Sequence, residues 1–305
     1  MDLIALTLFI AVLASLPVYF LLVYLLIKYR KTTFQGPFWT LMLSKSFADF
    51  FAIAVNQFDA LIHMNMIPAK YVELLNDGGM WLLRIWGQSE IAGYGSQMLG
   101  VLAMSINRYT AICKPMEHDM FWSNKLLITI VVQWIFPVAA VLPMFTADFV
   151  VVLFNTSDGQ SKYVLKYASR DVRNVYWYGL CSFGVLVNII VGWAYTAMVY
   201  KLYKQRKQIS ASRHQSQGQS DLFKREANLA LSGLIISSLM FVNNLCFFLI
   251  AVNTTFMPWD STVIMMMMYV SEEVLGWISP WALLRTSSAV RKKYKQFLRI
   301  TDSEN

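Results

Sequence analysis

The residues best able to do chemistry in this sequence are ionisable side chains set inside otherwise apolar stretches. They are Lys45, Asp49, Glu90, Glu272 and Glu273. A charge at the centre of a bilayer costs about 3 kcal/mol on insertion scales, so such residues are kept for pairing or for function. Lys45 and Asp49 stand four residues apart, which places them on one face of a helix. They either neutralise each other as a structural pair or form a polar core whose hydrogen bonds differ between two helix arrangements.

The three glutamates indicate a polar cavity at the end of the helices away from Arg108. Glu90 precedes Arg108 by about 18 residues, or about 27 Å of helix. Glu272 and Glu273 are adjacent and point about 100° apart on a helix, so at most one faces the centre of a bundle. With nearby aromatic residues, these acids make up the candidate ligand pocket: Glu90, Tyr94, Tyr269, Glu272, Glu273 and Trp277. The alternative is that the acids pair with Arg84 or loop cations, or stay protonated.

Metal and catalytic chemistry find little support in the residue pattern. The three cysteines and the three histidines are scattered singly along the chain. A membrane zinc hydrolase needs several such ligands that converge on one point. We therefore predict a protein that is not an enzyme and that holds no metal or cofactor.

The high hydrophobic content and the low content of charged residues predict an integral membrane protein. The chain has 305 residues, of which 57% are hydrophobic and only 14% charged, and its mean hydropathy is +0.47. Soluble domains carry roughly 25% charged residues. The net charge of +8 fits anionic lipid head groups and an acidic cytosolic partner better than nucleic acid, because most of the chain faces lipid.

Seven stretches have the roughly 20 mostly apolar residues that a helical crossing needs. The sequence thus predicts an all-α membrane protein, a bundle of seven transmembrane helices that leaves no room for a soluble domain. The predicted spans are Leu3–Ile27, Phe38–Ile62, Met80–Arg108, Lys125–Ala147, Val175–Tyr200, Ala227–Val252 and Ser261–Leu284.

The basic residues predict that the N-terminus is outside and the C-terminus inside. Only Asp2 precedes the first span, whereas Lys28, Arg30 and Lys31 follow it, and most of the 26 Lys and Arg residues fall on that same side. Cytoplasmic loops carry such an excess of positive charge. Two glycosylation sequons, at Asn155 and Asn253, fall in loops predicted to be extracellular. A cleaved signal peptide at residues 1–27 is the alternative, but no basic segment precedes the apolar one.

Residues 1–285 are predicted to form the seven-helix membrane domain and residues 286–305 a cytosolic tail. Val290, Tyr294, Phe297 and Leu298 share one helical face and have basic residues around them. That pattern is typical of a short amphipathic helix lying on an anionic inner leaflet. An unstructured basic tail is the alternative.

Several local motifs resemble the rhodopsin-like G-protein-coupled receptors. Asn107-Arg108-Tyr109, at the end of the third span, resembles the Asp-Arg-Tyr region of that family, with Asn in place of Asp. Asp49 resembles the aspartate of the second helix, and Trp134 followed by Pro143 resembles the fourth helix. Ser279-Pro280 resembles the Asn-Pro motif of the seventh helix.

Differences between this sequence and the rhodopsin-like motifs indicate a more specific family. No cysteine stands near the outer end of the third span, and the fifth and sixth spans have no proline. The stretch from Asn107 to Pro115 and the Ser-Pro-Trp-Ala-Leu-Leu sequence from Ser279 to Leu284 are similar to nematode serpentine chemoreceptors of the Srg superfamily, most closely class V. Neighbouring classes are alternatives.

The resemblance implies a plasma-membrane chemoreceptor of sensory neurons that binds a small chemical in its outer half and activates a heterotrimeric G protein. It places coupling at Asn107, Arg108 and Tyr109, with Glu226 as a resting partner of Arg108. The alternative is that Glu226 balances the charges of Lys224 and Arg225. It also implies a polar core of Lys45, Asp49, Ser279 and Pro280. Neither the ligand, the G-protein type nor the oligomeric state follows from the sequence.

A membrane transporter is the main alternative function. Transporters usually show internal repeats and broken helices at matching positions, and no repeat relates the first and last three spans. A channel of the insect olfactory type has a cytoplasmic N-terminus, contrary to the charge distribution. A retinal protein needs a lysine in the seventh span, and Ser261–Leu284 contains none.

The predicted topology can be tested with epitope tags at the two ends of the chain. We expect an N-terminal tag to bind antibody on intact cells and a C-terminal tag to bind only after permeabilisation, because an odd number of crossings separates the termini. Protection of both tags in one compartment would contradict the seven-span prediction.

Overall fold

The computed structural model describes residues 2–63, 67, 70–71, 80–143, 149–155, 161–167, 169–211, 217–256 and 262–298. Seven long helices within these ranges coincide with the seven predicted spans. They are α1 (Asp2–Lys28), α2 (Pro37–His63), α3 (Met80–Cys113), α4 (Pro115–Val141), α5 (Arg170–Ala211), α6 (Gln217–Phe256) and α7 (Thr262–Thr286). A shorter helix, α8 (Ser288–Phe297), follows directly.

The observed helices confirm the all-α membrane architecture, although their ends differ from the predicted spans. Several continue past the apolar stretch, as α3 does to Cys113 and α5 to Ala211. Over the described residues, five helices are long and apolar enough to cross a membrane: α1, α2, α4, α5 and α6. Polar side chains of the other two, such as Gln97 on α3 and Ser279 on α7, are buried inside the bundle.

A β-hairpin between α4 and α5 is an addition that the sequence analysis did not predict. Strand β1 (Phe149–Asn155) pairs antiparallel with β2 (Ser161–Tyr167), in a register that sets Phe149 opposite Tyr167. Its residues are rich in valine and aromatic side chains, which favour strands. The predicted fourth span ends at Ala147, before the hairpin begins, and the periodicity of a short apolar run after it does not distinguish helix from strand.

Helix α3 is the packing centre of the bundle, with contacts to α2, α4, α5 and α6. Close approach of neighbouring helices depends on small residues. At Gly184 on α5, an added Cβ would lie 2.2 Å from Oδ1 of Asn244 on α6. The absent side chain at Gly184 therefore provides the space in which a polar residue of α6 inserts between α5 and α3.

One face of α8 packs against α1. The hydroxyl of Ser287 caps the helix by accepting a hydrogen bond from Val290 N. The hydroxyl of Tyr294 donates to the backbone carbonyl of Val18, and the ring of Phe297 lies 5.6 Å from that of Tyr24. Burial raises the pKa of Tyr294, so its hydroxyl keeps the proton it donates. The predicted cytosolic position of this helix stays a prediction.

We expect Tyr294→Phe to lower the stability of the folded protein. The substitution keeps the buried ring and leaves the Val18 carbonyl without this donor, a loss of about 1 kcal/mol. Thermal unfolding of the detergent-solubilised protein measures the effect. Tyr203→Phe, at an exposed position of α5, is the matched control. Equal melting temperatures for the two variants would show that α8 is not held by this contact.

Candidate functional site

A fully buried carboxylate, Asp49 on α2, joins four helices in the middle of the bundle. Oδ2 of Asp49 accepts hydrogen bonds from the hydroxyl of Tyr19 on α1, from Nζ of Lys45 at 2.5 Å, and from Oγ of Ser279 on α7 at 3.3 Å. Oδ1 accepts from Nε2 of Gln97 on α3 at 3.0 Å. Tyr19, Lys45, Asp49 and Ser279 are each 0% exposed. We call Tyr19, Lys45, Asp49, Gln97 and Ser279 the polar core.

The ammonium of Lys45 is held between two helices. Its Nζ donates to Oγ of Ser279 at 2.9 Å as well as to Asp49. Space for its side chain comes from Gly100 on α3, where an added Cβ would lie 3.1 Å from Cγ of Lys45. A buried ion pair is tolerated when its partners satisfy the remaining hydrogen-bonding positions. Lys45 and Asp49 meet that condition through contacts that come from outside their own helix.

A second set of hydrogen bonds ties α4 to α2 beside the polar core. Oγ of Ser44 donates to Oε1 of Gln133 at 2.9 Å and accepts from Nε1 of Trp134 at 3.1 Å. Because Ser44 precedes Lys45, this link and the polar core restrain adjacent residues of α2. Five of the seven long helices are thereby connected by buried polar contacts.

A layer of polar side chains lies between the polar core and the end of the bundle away from Arg108. The hydroxyl of Tyr94 on α3 donates to Oδ1 of Asn244 on α6 at 3.0 Å, and its ring lies 5.1 Å from that of Phe247. Oγ of Ser271 on α7 donates to Oδ1 of Asn243 at 2.9 Å. Helices α3, α6 and α7 are therefore joined in this layer.

The two adjacent glutamates of α7 are both buried, at 7% and 2% exposure. Glu273 accepts a hydrogen bond from Nε2 of Gln57 on α2 at 2.9 Å, and Glu272 interacts electrostatically with Tyr94. They point to different neighbours, as the 100° separation of adjacent helical residues requires.

The remaining pocket candidates lie elsewhere in the structure. Glu90 is on an exposed face of α3 and is not among the buried acids. Trp277 is half-buried and packs against a buried cluster that includes residues of α1, α2, α3 and α4. The side chain of Tyr269 lies outside the described residues. The structure thus brings Tyr94, Glu272 and Glu273 into one region and leaves Glu90 apart from it.

At the other end of α3, the three residues of the coupling motif have separate surroundings. Asn107 and Arg108 are buried, and Cζ of Arg108 lies 3.7 Å from the ring centroid of Phe38 on α2. The ring of Tyr109 is 4.9 Å from that of Trp193 on α5. Residue 226 is in α6, but the Glu226 side chain lies outside the described residues, so the predicted pairing with Arg108 stays a prediction.

The last predicted positions fall beside the polar core, at the end of strand β1 and near the end of α6. Pro280 is buried in α7, next to Ser279. Asn155 ends strand β1 and Asn253 lies near the end of α6, but their side chains are outside the described residues. Use of the two sequons stays a prediction.

Sequence reasoning missed most of the neutral residues that complete these contacts. They are Tyr19, Ser44, Gln57, Gln97, Gln133, Asn243 and Asn244. The signal available for finding them is an amide or hydroxyl group inside an apolar helix. Such groups need a hydrogen-bond partner when buried.

A bundle of seven long, largely apolar helices around a buried charged core defines a multi-pass membrane protein. A sequence profile described as "Serpentine type 7TM GPCR chemoreceptor Srv" matches residues 8–300. The chain is also 26% identical over 304 residues to "Serpentine receptor class V-1" of Caenorhabditis elegans, a match covering 94% of this chain and 88% of that protein. This protein belongs to the Srv family of seven-transmembrane chemoreceptors, which confirms the predicted resemblance to class V.

A double-mutant cycle tests whether Lys45 and Asp49 stabilise the bundle as a pair. We expect Lys45→Met and Asp49→Asn each to lower the free energy of unfolding by about 3–5 kcal/mol, because each leaves the other charge buried without its counter-ion. The double variant is expected to lose far less than the sum, since both charges are then absent. Thermal or denaturant unfolding in detergent measures all four proteins.

The exposed serine of α6, changed in Ser238→Ala, is a control for an unrelated polar loss. Strictly additive losses in the cycle would mean that the two charges are compensated independently of one another.

Proposed function

We propose that this chemoreceptor binds a small chemical between α3, α6 and α7, and signals through a heterotrimeric G protein by means of Asn107, Arg108 and Tyr109. The observation that carries the proposal is that one helix, α3, contributes to all three polar layers. Tyr94 lies in the layer with α6 and α7, Gln97 lies in the polar core, and Arg108 lies at the far end.

A ligand changes the balance between two arrangements of a bundle only if it binds one of them more tightly. The layer around Tyr94 suits this requirement because its hydrogen bonds cross between helices. A ligand that replaces the contact from Tyr94 to Asn244, or from Ser271 to Asn243, changes how α6 sits against α3 and α7. The effect passes along α3 toward the polar core, where Gln97 is three residues from Tyr94.

The chemistry of this layer favours two classes of ligand. Glu272 and Glu273 favour compounds that carry positive charge or hydrogen-bond donors. The aromatic rings of Tyr94 and Phe247 favour volatile apolar compounds, and a ligand with both features would use both. Amines with an aromatic or alkyl group are therefore the first compounds to test.

The coupling end is assigned by its charge and by the family to which the chain belongs. Arg108 supplies a guanidinium that is always protonated and can make several directed hydrogen bonds to a partner. Exposed basic residues at the end of α5, such as Lys204 and Arg206, add positive charge around it. An acidic or carbonyl-rich surface of a G protein is the partner that suits this end, and the plasma membrane of sensory neurons is the location that we propose.

We expect Arg108→Ala to abolish second-messenger output while surface expression persists. The variant loses the guanidinium proposed to contact the G protein but keeps the polar core. Output would be measured in cells that co-express a promiscuous G-protein α-subunit, against a panel of alkyl amines, aromatic amines and small ketones.

Lys70→Ala, which removes an exposed basic residue from the segment between α2 and α3, is the control and should signal normally. A well-expressed Arg108→Ala protein that responds like the parent would refute the proposed role of this residue.

A further inference from the structure

We infer that Phe38, at the start of α2, holds Arg108 in the resting arrangement and thereby sets the ligand-independent activity of the receptor. The inference rests on the proposed function of Arg108 and deepens it, by naming a positioning residue that the sequence motifs do not reveal. The starting observation is the distance of 3.7 Å from the Arg108 guanidinium carbon to the centroid of the Phe38 ring.

This distance is well within the range in which a cation is attracted to the face of an aromatic ring. Arg108 and Phe38 are each 6% exposed, so water competes little for the guanidinium. A guanidinium also stacks on rings more readily than an ammonium does, because it is flat and weakly hydrated.

Asn107, the residue before Arg108, does not offset the charge of the guanidinium, so the contact with the Phe38 ring contributes more to stabilising it. Asn107 is 1% exposed, and its side chain is a neutral amide that contributes no negative charge beside Arg108. Among the described residues, neither the nitrogen nor the oxygen of that amide has a hydrogen-bond partner. Asn107 therefore does not neutralise the guanidinium from the same helix, and the negative face of the Phe38 ring offsets part of its charge.

Phe38 is itself fixed by a short series of aromatic contacts. Its ring lies 5.0 Å from that of Trp39 in an edge-on arrangement, and the Trp39 ring lies 4.8 Å from that of Phe34. All three rings are buried, and Pro37 begins the helix with a fixed φ. A ring held on several sides presents a stationary surface to Arg108.

In this arrangement Arg108 is buried and is not presented to a partner. A G protein that contacts Arg108 must therefore bind a different arrangement of the receptor, in which the guanidinium has moved away from the Phe38 ring. Weakening the contact raises the population of that arrangement without any ligand. The strength of cation–π contacts predicts a rise of about three- to thirty-fold where the active fraction is small.

The test replaces Phe38 with phenylalanine carrying one, two or three ring fluorines, introduced by nonsense suppression in the full-length receptor. Fluorine withdraws charge from the ring face but changes the ring's shape little, so the series weakens the cation contact while packing is kept. We expect ligand-independent second-messenger output, normalised to surface expression, to rise step by step with the number of fluorines.

Two further variants at the same position use ordinary residues. Phe38→Leu removes the ring face, and its output should match or exceed that of the most fluorinated receptor. Phe38→Tyr keeps the ring face, and its output should stay within about two-fold of the parent, because the cation contact remains. The same fluorine series at Phe34, whose ring packs against Trp39, is the matched control and should leave the output unchanged.

The outcomes separate this inference from the function on which it rests. A flat response to fluorination at Phe38, together with a silent Arg108→Ala protein, would overturn the role of Phe38 and leave the coupling role of Arg108 intact. Normal signalling by Arg108→Ala would overturn both. A rise in output for Phe38→Leu that disappears in the Phe38→Leu/Arg108→Ala double variant would support both.

Discussion

The need to satisfy one buried carboxylate organises the bundle of this chemoreceptor. Asp49 and its counter-ion Lys45 are both 0% exposed, and charges in such surroundings are costly unless they are paired and hydrogen-bonded. Lys45 is local to Asp49, but Tyr19, Gln97 and Ser279 come from three other helices. Any rearrangement that separates these helices must supply new partners for the carboxylate. The polar core therefore restricts the bundle to a few discrete arrangements, which is the property a receptor needs in order to switch.

Helix α3 connects this constraint to both ends of the molecule. Its residues Tyr94, Gln97 and Arg108 lie in successive layers, and Gly100 gives the side chain of Lys45 the room it occupies. The contacts in the layers of Tyr94 and Gln97 are hydrogen bonds with definite directions, so they restrict how α3 can shift against its neighbours. Coupling between distant sites requires elements of this kind that have two discrete states.

Buried polar groups are paired differently at the two ends of the bundle. The layer around Tyr94 pairs hydroxyl groups with amide oxygens, and buries two carboxylates beside them. The end at Arg108 places a guanidinium against the Phe38 ring, next to the neutral amide of Asn107. Helix α6 has no proline within Gln217–Phe256, so movements of α6 depend on its contacts with α3, α5 and α7 and not on a proline kink.

The sequence by itself determined the features that depend on neighbouring residues. Apolar length predicted seven helices, the spacing of four placed Lys45 and Asp49 on one helical face, and the motif from Asn107 to Pro115 indicated the family. Only the tertiary structure decided which residues complete those local features. It brought Tyr19, Gln97 and Ser279 to one carboxylate, set Arg108 on Phe38, left Glu90 outside the buried acids and formed the hairpin of β1 and β2. The physical reason is that local patterns follow from helical geometry, which is the same everywhere, whereas contacts between distant residues depend on how the helices rotate and pack against one another.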